Sequence, residues 1–307
     1  MSTEGGTKAV VAALGANLGI AVSKFVAFAF TGSSSMLSEG VHSVADSGNQ
    51  VLLLIGGRRS TVAPTKRHQF GFGRRRFLYG FIVSIVLFLV GGVFAIYEGT
   101  HKIAHPEHVA DTRIAIGVLL IAIVLESLSF RTAIREANKA RGDASLLAFI
   151  RETRQPELPV ILLEDAGALI GLVLALFGVG MATYTGDGRW DGLGAISIGV
   201  LLVCIAVFLA VEMASMLVGE AADPATVADI EAALGRSALA TRLIHLRTLH
   251  VGPDELLVAA KIAVAPTATA ETIASGIDAV EADIRAVVPA AKYIFVEPDI
   301  DRVDSRP

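Results

Sequence analysis

The sequence predicts an α-helical polytopic membrane protein, with six transmembrane helices followed by a small C-terminal α+β, ferredoxin-like cytoplasmic domain. Three observations point there. Hydrophobic residues make up 53% of the 307 and charged residues only 18%, against about 25% charged in an average soluble domain. Mean hydropathy is +0.62, concentrated in runs long enough to cross about 30 Å of hydrocarbon at about 1.5 Å per residue of helix. After Gly219 the long apolar runs stop, so the predicted division is 1–219 for the membrane part and 220–307 for the remainder.

The six spans fall at about 8–31, 35–57, 76–98, 112–134, 158–184 and 190–218. Their joints carry turn and breaker chemistry: "TGSSS" (31–35), "HPEH" (105–108), "RQPELP" (154–159) and "TGDGRWDG" (185–192). Lys and Arg are distributed unevenly between the two sides. The second-to-third connection holds Arg58, Arg59, Lys66, Arg67, Arg74, Arg75 and Arg76, and the fourth-to-fifth holds Arg131, Arg135, Lys139, Arg141, Arg151 and Arg154. The opposite side offers Lys102, Arg113 and Arg189. Positive loops stay inside, so both termini are expected in the cytoplasm of a cell with this chain in its inner membrane. Trp190 at a span edge reads as an interfacial anchor, and Arg74–Arg76 as an anchor among lipid head groups.

Beyond Gly219, Asp223 is placed as an N-cap with Pro224 at the first helical position, and Val227, Ile230 and Leu234 recur at helical spacing. Leu256, Val258, Ala260, Ile262 and Val264 alternate as one face of a strand. Ile273, Ile277, Val280, Ile284 and Val287 form a helical stripe, and "KYIFVEPD" (292–299) reads as a last strand ending at its proline. The order is helix, strand, strand, helix, strand. A segment of this size folds only marginally alone, so dimerisation is expected to support it.

The second span holds the strongest chemical signal. In "SEGVHSVADSGNQ" (38–50), Glu39, His42 and Asp46 fall at i, i+3 and i+7, with Asn49 following on the same helical face. One Asp in mid-bilayer costs about 2.5–3.5 kcal/mol on insertion scales. Such a stripe either lines a polar site or joins helices through buried hydrogen bonds. His and Asp one turn apart suit a borderline divalent cation such as zinc, and an imidazole also exchanges protons near neutral pH. The fifth span supplies Glu164 and Asp165, which as neighbours point about 100° apart, so only one can face the stripe squarely. Glycines 167, 171, 178 and 180 let helices approach. Two aspartates and a neutral histidine, His42, Asp46 and Asp165, would neutralise a divalent cation.

Composition also excludes. The net charge of −4 gives no basic footprint for nucleic acid, and a single cysteine, Cys204, rules out intrachain disulfides and thiolate clusters. "MSTEGGTK" does not read as the start of a cleaved signal peptide, and no phosphate-cradling glycine loop is present.

The chain resembles the cation diffusion facilitator family. "GANLGIAVSKFVAFAFTGSSSMLSEGVHSVADSGNQ" is similar to that family's first two helices, "HQFGFGRRRF" (68–77) to its first cytoplasmic loop, "LLEDAGALIG" to its fifth helix and the segment ending "IFVEPD" to its cytoplasmic domain. "EGVHSVADSGNQ" and "VILLED" are closest to the branch named after zinc transporter nine. The resemblance implies a homodimer that exports a divalent cation, zinc first, by alternating access against protons, with no further cofactor. Its ligand positions fall on His42, Asp46 and Asp165. The family's histidine four residues before that last aspartate is replaced by Ile161. Glu164, a water, Glu39 or Asn17 on the first span would then complete the shell, and oxygen in place of imidazole moves preference toward manganese or iron(II). Of the family's loop site only His68 matches, with Phe72 and Thr65 at the other positions; Glu297 is the main acidic residue left of a C-terminal site. His245 and His250, at odd separation on a strand, face opposite sides and make no site.

Other intramembrane and loop residues have two readings each. Lys24 is a counter-charge to the carboxylates or a snorkelling or bridging lysine, and Glu126 in the fourth span is a proton relay or an interhelical bond. His101, His105 and His108, with Glu107 and Asp111, read as a solvated loop rather than an ion-collecting patch. Besides the exporter, a membrane-embedded metal sensor that binds without flux fits the missing histidine. A metallohydrolase does not, for want of a nucleophile or a second ligand cluster, so no enzymatic activity is expected.

Overall fold

The structure is a computed structural model that describes residues 3–32, 34–106, 112–142, 145–153 and 156–300. The chain divides into two compact units, Met1–Arg59 with Arg75–Ala214, and Ser60–Arg74 with Ser215–Pro307. The second compact unit starts at Ser215, a few residues before Gly219, and also takes in the loop after the second helix.

The first unit is built from α1 (Thr3–Thr31), α2 (Ser34–Ser60), α3 (Arg75–Ala104), α4 (Thr112–Arg141), a short α5 (Leu146–Glu152), α6 (Glu157–Thr185) and α7 (Arg189–Val218). Among the described residues, α3, α4, α6 and α7 are long and apolar enough to cross a membrane. In α1 the described apolar stretch is the shorter Asn17–Thr31, while α2 is long but carries the polar stripe. Several helices outrun the predicted spans, α3 to Ala104 and α4 to Arg141, because Lys, Arg, Glu and Ala continue a helix after the hydrocarbon ends. Gly186 in the left-handed conformation (φ 72°) closes α6. Asp187 accepts from the Arg189 N–H at the start of α7.

Two features were not legible beforehand. Ser145 caps the short α5, accepting from the Ala148 N–H. Leu87–Val93 within α3 is π-helical, a widening that helices tend to keep where function uses it.

Burial in this unit suits a bilayer. Val22, Phe30, Leu128, Val173, Phe177 and Val211 face outward, whereas Lys24, Glu39, His42, Asp46, Glu126, Glu164 and Asp165 are buried. Ile20, Met36, Leu87, Leu119, Leu172, Ile198 and Leu202 fill the interior between them. Helix α4 packs on both α1 and α6. Helices α3 and α7 meet through glycine: a Cβ on Gly99 would lie 2.5 Å from the Gly192 carbonyl oxygen, and one on Gly199 2.7 Å from that of Gly92.

In the second unit α8 (Pro224–Arg236) precedes β1 (Arg242–Gly252), β2 (Glu255–Val264), α9 (Ala270–Val287) and β3 (Ala291–Ile300), the order the sequence predicts. The sheet runs β1-β2-β3, antiparallel then parallel, with α9 as the crossover. Asp223 caps α8 as predicted, accepting from the Ala225 and Thr226 N–H groups, and the Thr226 hydroxyl bond does most to hold its carboxyl below the usual range. Leu256, Val258, Ala260, Ile262 and Val264 pack in one core with Ile230, Leu234, Val280 and Ile284.

Two details differ from the sequence reading. Val287 is exposed and Val288 takes the buried position, because α9 ends there and the chain turns in. Strand β3 also runs through Pro298 to Ile300, with Pro298 opposite Ile262; as an edge strand it tolerates a residue without an N–H. Within this unit the loop is pinned by Phe70 edge-on to Tyr293 at 5.2 Å. Gly73 approaches so closely that a Cβ would sit 2.8 Å from Gly252 Cα.

Candidate functional site

Helix α2 turns a continuous polar face inward. Glu39, His42, Ser43, Asp46, Ser47, Asn49 and Gln50 are all buried, while Val44, Val51 and Ile55 on its other faces are exposed. The 3.6-residue period alone makes that separation, once the apolar faces are drawn to lipid.

Three polar connections tie this interior together. Lys24 on α1 donates to Glu39 Oε2 and to Ser43 Oγ, both at 2.8 Å. Asn49 Nδ2 on α2 donates to Glu164 Oε1 on α6 at 2.7 Å. Ser129 on α4 donates to Asp165 Oδ2 on α6 at 3.0 Å. The neighbouring α6 carboxylates therefore serve different helices, Glu164 facing α2 and Asp165 facing α4, as their angular separation on the helix requires.

His42 and Asp46 meet at 3.4 Å between Nδ1 and Oδ1. Neither ring nitrogen of His42 nor Asp46 Oδ1 has a hydrogen-bond partner among the described residues, although all are buried. Groups so placed are costly unless something else engages them. Glu164, Glu126 and Asp165 all lie within electrostatic reach of Asp46, Glu164 most strongly. Even so, among the described residues no three His, Cys, Asp or Glu side chains stand close enough to hold a metal ion together. The arrangement is a His–Asp pair with further carboxylates around it.

The remaining predicted positions fall as follows. Asn17 is buried on α1, its Oδ1 unpartnered among the described residues, two helical turns from Lys24 on the same face. Glu126 is buried on α4, one turn before Ser129, with Oε2 unpartnered among the described residues. Ile161 packs among Ala133, Ala137 and Leu162, so the position of the absent histidine is part of an apolar cluster. His68 lies in the second unit, exposed, its ring 4.7 Å from that of Phe72. Glu297 is engaged by Lys261 at 2.9 Å, beside Asp299 at 3.0 Å; Glu297 and then Asp299 hold that ammonium above its usual range. His245 is exposed and His250 buried on β1. The rings of His101 and His105 lie tilted, 4.9 Å apart, near the end of α3, whereas Glu107, His108 and Asp111 lie outside the described residues. Ser43 and Ser129 were missed in the sequence. Their signal is positional, since Ser43 is four residues after Glu39 and Ser129 three after Glu126.

Comparison with known proteins places the chain in a family. A family model described as the cation efflux transmembrane domain matches residues 10–218. The chain is similar to the Proton-coupled zinc antiporter SLC30A9, mitochondrial, of Xenopus laevis, 33% identical over 225 residues, 72% of this chain and 40% of that protein. This chain thus spans about two fifths of that relative's length. It is also similar to the Manganese efflux system protein MneP of Bacillus subtilis, 23% identical over 257 residues, 81% of each. A solved variant of the MamM-CTD matches 25% of this chain and 93% of its own, at 27% identity and a TM-score of 0.24. With a family model covering its helical unit, and a buried acid–histidine stripe inside that unit, this integral membrane protein belongs to the cation efflux family.

Proposed function

We propose that the chain exports a divalent metal cation, zinc first and manganese or iron(II) next, in exchange for protons. The observation that carries this reading is the His42–Asp46 pair, buried in the interior of a membrane unit, without hydrogen-bond partners among the described residues at either ring nitrogen or at Asp46 Oδ1, and within electrostatic reach of Glu126, Glu164 and Asp165. The names of relatives, a zinc antiporter and a manganese efflux protein, support the same class of cargo. In this reading the cation is held by His42 and Asp46 of α2 and by α6, through Asp165 and with Glu164 in place of the ligand lost at Ile161. Protons and cation compete for the same lone pairs, so loading one discharges the other. Glu126 and Glu39 border the route, and Asn17 lines its α1 side.

The remaining assignments belong to the same proposal. Six helices span the bilayer, residues 1–219 form the transport domain, and 220–307 a cytoplasmic dimerisation domain. The working unit is a homodimer in a cell membrane, with lipid around the outward apolar faces and both termini in the cytoplasm.

The test is cation flux into proteoliposomes under an imposed pH gradient, for the parent, Asp46→Ala and Asp165→Ala. Gradient-dependent flux lost in either variant supports exchange and names the ion. Binding without flux, in an inserted and folded parent, replaces the exporter with a sensor.

A further inference from the structure

We infer that Lys24 is a specificity-determining internal cation, which holds the Glu39 carboxylate away from the transported ion. The inference rests on the export reading and deepens it. Lys24 and Glu39 are both 0% exposed, on different helices of the membrane unit, with Nζ and Oε2 2.8 Å apart. A buried ion pair is rarely more stabilising than a well-packed apolar pair of the same volume. A charge within a membrane span is a functional candidate by default.

The placement says what the pair does. Glu39 lies one turn before His42 on the same stripe, and both Glu39 and Lys24 are within electrostatic reach of His42. Among the described residues Glu39 Oε1 has no hydrogen-bond partner, and it points at the Gly171 backbone, where a Cβ would stand 2.7 Å away. A larger residue at 171 would push the carboxylate along the stripe. Lys24 also donates to Ser43, the residue next to His42, so its ammonium fastens the α2 turn that leads to the pair at two points. The ammonium neutralises Glu39 and leaves His42, Asp46 and the α6 carboxylates to meet the cation. Without it, an extra hard oxygen ligand would face the site, strengthening binding and favouring manganese over zinc.

A double-mutant cycle on the purified full chain in detergent tests this, with zinc and manganese titrated separately by calorimetry. Lys24→Gln is expected to bind more tightly by at least about tenfold, the size of a single outer-shell change, with a larger gain for manganese. Glu39→Gln leaves an unneutralised ammonium near His42 and is expected to bind about tenfold more weakly. The pair Lys24→Gln/Glu39→Gln should return to the parent's affinity and zinc-to-manganese ratio. A double variant as weak as Glu39→Gln would make Glu39 a ligand and overturn the inference, as would Lys24→Gln at parental affinity. If either single variant fails to fold, the double variant decides alone: parental binding supports the inference, lost binding ends it. A parent that binds neither metal removes the export reading itself, and this inference with it.

Discussion

Asn49 and Glu164, 115 residues apart in sequence, are joined by a 2.7 Å hydrogen bond between α2 and α6. That bond turns Glu164 toward the His42–Asp46 stripe, while its neighbour Asp165 is held by Ser129 of α4. The two α6 carboxylates are thus made unequal by their partners.

Asn49→Ala should weaken cation binding roughly tenfold or more, the usual effect of removing a residue that orients a ligand. Ser129→Ala should perturb binding less, because it releases rather than misdirects a carboxylate. Calorimetric titration of both variants checks the order, and equal losses would deny Glu164 its special position.

Ile161→His restores the family's residue at a position lined by Ala133, Ala137 and Leu162. An imidazole there lacks a partner and is expected to lower stability by about 1–3 kcal/mol without tightening zinc. A variant with higher zinc affinity and unchanged melting would show that the position opens onto the site.

Gly99→Ala and Gly199→Ala should destabilise the membrane unit by about 1–3 kcal/mol, since each new Cβ meets a carbonyl of the opposing helix. Gly180→Ala is the control: among the described residues nothing stands within 4 Å of its Cβ, so it should be neutral or gain up to about 1 kcal/mol of helix stability. Thermal unfolding in detergent separates the two classes.

In the C-terminal unit, Asp223 contributes through its ionised form. Its folded value is held below 3.8, the usual carboxyl value, chiefly by the Thr226 hydroxyl. The contribution is therefore complete above about pH 4 and is lost as pH falls through the lower folded value. Asp223→Ala should lose about 1 kcal/mol of α8 stability at neutral pH and remove that acid dependence. Hydrogen exchange over 224–236 measures both; an unchanged acid profile would assign the effect to another carboxylate.

Much of this molecule follows from local rules. The hydrophobic runs, the breakers between them and the Asp223–Pro224 cap act within a few residues. So does the alternation from Leu256 to Val264, and those elements form where the sequence places them. The inward stripe of α2 is equally local, because helical period alone puts Glu39, His42, Asp46 and Asn49 on one face. Which groups meet across helices is not a local matter. Lys24 with Glu39, Asn49 with Glu164 and Ser129 with Asp165 depend on helix rotation and approach, which packing of the whole bundle decides. The same holds for the loop before Gly73 joining the C-terminal sheet, and for β3 continuing past Pro298 as an edge strand. Period sets the face a side chain occupies; only tertiary packing sets its partner.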